Sequence, residues 1–146
     1  MHSEHIWALS EWRGSKPHFD CAFIKKDTNY ESLALPHRLD NLDVACIRLL
    51  LSFDYHGVTY QCIIIHGLLL VDDEPDEDTG MWLAHCPDKQ ISQAIPLNAI
   101  YCAAHLIPYY SNNSMPWQIT PNNCLDNFYL FYMNKFIDHH TFDLLS

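Results

Sequence analysis

The chain has 146 residues, 49% of them apolar, with eight Tyr, seven Phe and four Trp, so hydrophobic burial can offset chain entropy along most of its length. That size suits one domain burying roughly 70% of the surface its unfolded form exposes, and we read residues 1–146 as a single unit. Eighteen acids against eight Lys and Arg give a net charge of −10, a field that repels phosphate backbones and excludes general nucleic-acid binding while favouring a basic partner.

Residues 1–40 read as an irregular N-terminal arm, with Trp7 and Trp12 as anchors and turns at Lys16-Pro17 and Leu35-Pro36. A β core is expected over residues 41–110. In it, VACIRLLLSFDY (Val44–Tyr55) and VTYQCIIIHGLLLV (Val58–Val71) flank His56-Gly57, which reads as two buried strands joined by a hairpin turn. The β-branched and aromatic content of Val58 to Ile65 favours strand over helix.

The acidic run from Asp72 to Asp78 ends the second strand, because Pro75 and charge repulsion oppose both helix and ladder. A solvated, mobile loop is expected there. Met81–His85 reads as a third strand, Ala94–Leu97 as a short fourth, and Ile100–Tyr110 as a bent strand that leaves the core at Pro108. Residues 111–146 are assigned to a loop and a C-terminal helix. Pro121-Asn122-Asn123 offers caps, and Leu125, Phe128, Tyr129, Tyr132 and Phe136 recur at helical spacing, which predicts an amphipathic helix over residues 124–142. The fold class is therefore mainly β (α+β): a small curved sheet or barrel of four to six strands closed by that helix.

Cys21, Cys46, Cys62, Cys86, Cys102 and Cys124 form no CxxC pair, and the N-terminus lacks the apolar stretch of a signal peptide, so free buried thiols and an intracellular, soluble protein of nucleus or cytoplasm are expected. The longest apolar run, Cys62–Val71, is about half a membrane span. No GxSxG, P-loop, GxGxxG or HExxH occurs, and His85-Cys86 on a strand would face opposite ways, so no catalytic residue is assigned. His66, His85, His105, His139 and His140 are the only candidates for a metal or enzymatic pocket, but their spacing is not that of a metal site. Among the basic residues, Lys25-Lys26, Arg38 and Arg48 make a thin cluster for DNA. No cofactor is expected. The carboxylates miss EF-hand spacing, because placing Gly80 at the sixth loop position puts Pro75 at the first ligand position. They read instead as a docking surface for a basic protein or peptide, with Asp73, Glu74, Asp76, Glu77, Asp78 and Trp82 as its binding residues.

The series GVTYQC (Gly57–Cys62), DEPDEDTGMW (Asp73–Trp82), PLNAIYCAAHLIPYY (Pro96–Tyr110) and LDNFYLFYMNKFIDHHTF (Leu125–Phe142) resembles the C-terminal region of transposon-encoded proteins of mushroom-forming fungi, of the Plavaka or KDZ transposase type. The aliphatic strand, GxxY turn and closing HLIP strand also look like the small chromatin-associated barrels of the bromo-adjacent homology kind. The first resemblance implies an accessory, noncatalytic module, since the residues that cut DNA lie elsewhere in that family. Its expected partner is a histone tail, another transposon-encoded protein or a second copy of itself.

Overall fold

A computed structural model describes residues 6, 8–9, 18–25, 42–87, 92–110 and 129–146. The strands are β1 (Ala8–Leu9), β2 (His18–Phe19), β3 (Cys21–Lys25), β4 (Leu42–Tyr55), β5 (Val58–Gly67), β6 (Leu69–Leu70), β7 (Leu83–His85), β8 (Ser92–Pro96), β9 (Ile100–Ala104), β10 (Leu106–Pro108) and β11 (Leu130–Met133). A 3₁₀ turn at Leu97–Ala99 precedes β9, and the helix α1 spans His139–Leu145. The fold is mainly β, as the sequence predicts, with two curved antiparallel sheets and one short C-terminal helix.

One sheet has five strands in the order β8-β5-β4-β3-β9, the other four in the order β10-β11-β7-β6, and β1 and β2 form a separate ribbon. Among the described residues the sheets stay open. The chain passes between them at Leu68, between β5 and β6, and at His105, between β9 and β10. Leu68 is buried at this corner, and its amide donates to the Val44 carbonyl at 3.0 Å.

Alternation along each strand then builds two cores, because neighbouring side chains leave a strand on opposite faces. Phe23, Val44 and Cys46 point toward Trp82, Ala84, Met133 and Leu145, filling the space between the five-stranded sheet, the four-stranded sheet and α1. On the reverse face Ala22, Ile24, Ile47, Ile63 and Ile65 form a second cluster, with Ile6 packed against it. The Trp82 indole N–H donates to the Leu145 carbonyl at 3.0 Å and so ties α1 to β7.

Three expectations are corrected. The N-terminal region is not simply an irregular arm, because Cys21–Lys25 is an interior strand buried between β4 and β9. Trp7 and Trp12 lie outside the described residues. The predicted helix over 124–142 is displaced: Leu130–Met133 pairs with β7 and β10 as a strand, and the helix begins only at His139. Its start is set by Asp138, whose carboxylate accepts from the Thr141 amide at 2.7 Å, satisfying an amide that the helix itself leaves open. Leu125 and Phe128 lie outside the described residues, while Phe136 sits in an exposed turn.

The third correction concerns β4 and β5, which are buried only at the end away from the turn, over Leu42–Ile47 and at Ile63, Ile65 and Gly67. A bulge places Arg48 as an extra residue between Ile47 and Leu49, and beyond it the hairpin emerges into solvent. At its tip His56 (φ 49°) and Gly57 (φ 77°) both adopt the left-handed backbone that a two-residue hairpin turn demands.

Candidate functional site

The acidic run connects β6 to β7 and is more organised than a solvated loop. Asp76 builds it: its carboxylate accepts from the Thr79 amide at 2.9 Å and the Thr79 hydroxyl at 2.8 Å. Its own amide donates to the Met81 carbonyl at 2.9 Å, and its carbonyl accepts from Gly80 at 2.7 Å. Gly80 occupies a left-handed conformation (φ 65°), and an added Cβ would stand 3.3 Å from Lys135 Nζ. Repulsion between the acids, the reason for expecting a mobile segment, is met here by four hydrogen bonds on one residue.

Asp76 is therefore half-buried, whereas Asp73, Glu74, Glu77 and Asp78 are exposed around a hollow of about 610 Å³. Leu83 forms part of its wall and lies directly opposite Tyr132 in the ladder between β7 and β11. Tyr109, just past β10, meets the Tyr132 ring edge-on with centroids 5.5 Å apart. Partial burial raises the Tyr132 phenol above its ordinary value, and the negative charge of Asp76, then Tyr109 and Asp78, acts in the same direction. The turn thus brings carboxylates beside two aromatic rings on the outer face of the four-stranded sheet. Trp82, grouped with this surface by its place in the sequence, faces the other way and is buried in the core.

The histidines do not converge. His66 accepts from Arg48 Nε through Nδ1 at 3.2 Å, which leaves its Nε2 as the protonated nitrogen, donating to Ser92 Oγ at 2.8 Å. Both ring nitrogens are thus engaged within the five-stranded sheet. His105 lies at the corner between the sheets, His85 is half-buried on β7, and His139 and His140 lie exposed on α1, where His140 packs against Tyr101. Among the described residues no three His, Cys, Asp or Glu side chains are placed to hold a metal ion.

Five cysteines are free thiols among the described residues. Cys21 and Cys46 face each other across β3 and β4 with their sulfurs 2.8 Å apart. The hydrogen bond to Cys46, followed by burial, holds the Cys21 thiol well above its ordinary value, opposite to what a nucleophile requires. No helix among the described residues is long and apolar enough to cross a membrane.

The sequence reading missed a second surface, the emerged part of the β4–β5 hairpin. Leu49, Leu51 and Phe53 pair with Ile64, Cys62 and Tyr60, and Tyr55 pairs with Val58, so one face is apolar from end to end. The reverse face carries Ser52 opposite Gln61 and Asp54 opposite Thr59. The signal lay in the two-residue alternation of SFDY and VTYQC, which the surrounding aliphatic run obscures. Compared with protein families, with curated proteins and with solved structures, the chain matches none.

Proposed function

We propose that the chain is a noncatalytic protein-interaction domain that receives a basic segment of another protein in the hollow of the acidic turn, beside the Tyr109–Tyr132 pair. The observation that carries this reading is a hollow lined by exposed carboxylates whose wall residue Leu83 lies opposite Tyr132, with Tyr109 packed on Tyr132. A Lys or Arg side chain placed there gains from both. Exposed ion pairs contribute about 0–1 kcal/mol each and exposed cation–π contacts about 0.5–1 kcal/mol, so affinity comes from several modest contacts and from steering by the −10 net charge.

The resemblance to the terminal module of fungal transposon-encoded proteins supports the same reading and supplies a class of partner: a chromatin-associated tail or another protein of the element, met in the nucleus or cytoplasm. Because Asp76 holds the turn together, the test spares it. The variant Glu74→Gln, Glu77→Gln, Asp78→Asn keeps size and shape and removes three charges. Titrating a fluorescent Lys/Arg-rich peptide against both chains should show about tenfold weaker binding by the variant, from three contacts of roughly 0.5 kcal/mol each. Stability should change by no more than about 0.5 kcal/mol. Equal affinity of the two chains at low salt, or no binding by either, refutes the reading.

A further inference from the structure

β3 pairs with β4 only as far as Cys46, and β8 pairs with β5 only from Cys62 onward. From Leu49 to Gln61 the hairpin is therefore a two-stranded arm that no further strand pairs with among the described residues, although β1 and β2 approach β4. On its apolar face Phe53, Tyr55 and Tyr60 are 48%, 60% and 43% exposed, and Leu49 and Val58 are exposed to a similar degree. The Phe53 and Tyr60 rings stack at 5.4 Å with 20° between their planes, which presents them as one flat surface. An isolated two-stranded ribbon is only marginally stable in water, and a contiguous apolar patch of this kind marks an interaction site, unlike scattered apolar side chains.

We propose that this face is the interface of a homodimer, in which the apolar faces of two hairpins, one from each copy, stack as two layers roughly 10 Å apart. The occupant follows from charge and area. None of the paired residues on the face carries a charge, so a basic segment of the kind suited to the acidic turn finds no ion pair here. A second copy presents the same uncharged surface, as a twofold interface requires. Taking about 200 Å² for each aromatic side chain, three at half exposure supply roughly 300 Å² per copy. With Leu49 and Val58 added on both sides the total reaches roughly 1,000 Å², the lower bound of a specific interface. This surface is separate from the acidic hollow, and the two respond to salt in opposite directions. Salt screens the mutual repulsion of two chains of charge −10 and strengthens the dimer, while it weakens capture of a basic peptide.

Sedimentation equilibrium of the full chain over roughly 1–200 µM, the range in which a moderate dimer dissociates, tests the proposal. A monomer–dimer transition that tightens on raising salt is expected, together with loss of the dimer in Phe53→Glu. Ser52→Glu, on the polar face of the same strand, should dimerise as the parent chain does. If Phe53→Glu loses its β-type circular dichroism, Val58→Lys beside the turn replaces it. A parent chain that remains monomeric at high salt overturns the proposal, as does open-ended association, or equal loss of dimer in the Phe53 and Ser52 variants. None of these outcomes touches the peptide titration.

Discussion

Phe131 and Phe136 stand five residues apart and contribute to stability to very different degrees. Phe131 is fully buried, so truncation to Ala removes both its transfer energy and its packing, at a cost of about 3–5 kcal/mol. Phe136 is 60% exposed, tilted against Phe142 with ring centroids 6.0 Å apart, and its loss should cost no more than about 1 kcal/mol. Urea denaturation of the two variants measures the difference, and equal costs would contradict the strand assignment of Leu130–Met133. Asp138 makes a second prediction at this scale. The hydrogen bond from the Thr141 amide lowers the Asp138 carboxyl below its ordinary value; desolvation, the next-largest effect, opposes it, and the Thr141 hydroxyl and nearby His140 and His105 reinforce it. Folding therefore favours the ionised form. The resulting stability is present above the usual Asp range, near pH 3.9, and is lost as pH falls through the lowered folded value. Asp138→Asn keeps a capping side chain but cannot titrate, so its melting temperature should fall less steeply on acidification than that of the parent. Parallel acid profiles would rule out the ionised cap.

The β4–β5 hairpin divides at Arg48 into a part paired with neighbouring strands and a part paired only within itself among the described residues. Amides of Ala45, Ile47, Ile63 and Ile65 sit in the reverse-face cluster and should exchange hydrogen only on global unfolding. Those between Ser52 and Gln61 should exchange through local opening, faster by orders of magnitude in dilute protein where the chain is monomeric. Uniform protection along β4, measured by mass spectrometry, would show that the arm is not a separate unit. The sequence made this hairpin legible through His56-Gly57 and the β-branched run after it, and β7, β8 and the bent β9–β10 were readable from short apolar runs between turns. Other elements were not. CAFIK is no shorter than β8, but in sequence it lies between the turn-forming Lys16-Pro17 and Leu35-Pro36 steps, and only pairing on both sides marks it as an interior strand. Leu130–Met133 is apolar throughout, so helical spacing with Leu125 and Phe136 fitted it as well as a strand did until its partners β7 and β10 decided the matter. The bulge was equally hidden. By adding Arg48 it shifts the face that Val44 and Cys46 turn to the core from even to odd numbers along β4, which keeps Leu49, Leu51 and Phe53 on one face with Ile64, Cys62 and Tyr60.

Across the whole molecule, the carboxylates of Asp72–Asp78 gather at one turn, while Phe53, Tyr55 and Tyr60 stand exposed together on one arm. The acidic half of the candidate site was plain in the sequence because its residues are contiguous. Its aromatic half was not, since Tyr109 and Tyr132 meet only through the pairing of β10 with β11, and Trp82 was misassigned because alternation sends Leu83 outward and Trp82 inward. The central place of β3 bears on how such a molecule assembles. β4 and β5 are neighbours in sequence as well as in the sheet, so they can zip together early, but Cys21 must find both Cys46 and the far more distant Ala104. Closing that long loop costs entropy before any contact repays it, which makes the insertion of β3 the slow event in folding. Until it arrives, the inner edges of β4 and β9 are open to strands of other chains, so the yield of native protein should fall with concentration during refolding even where the finished fold is stable.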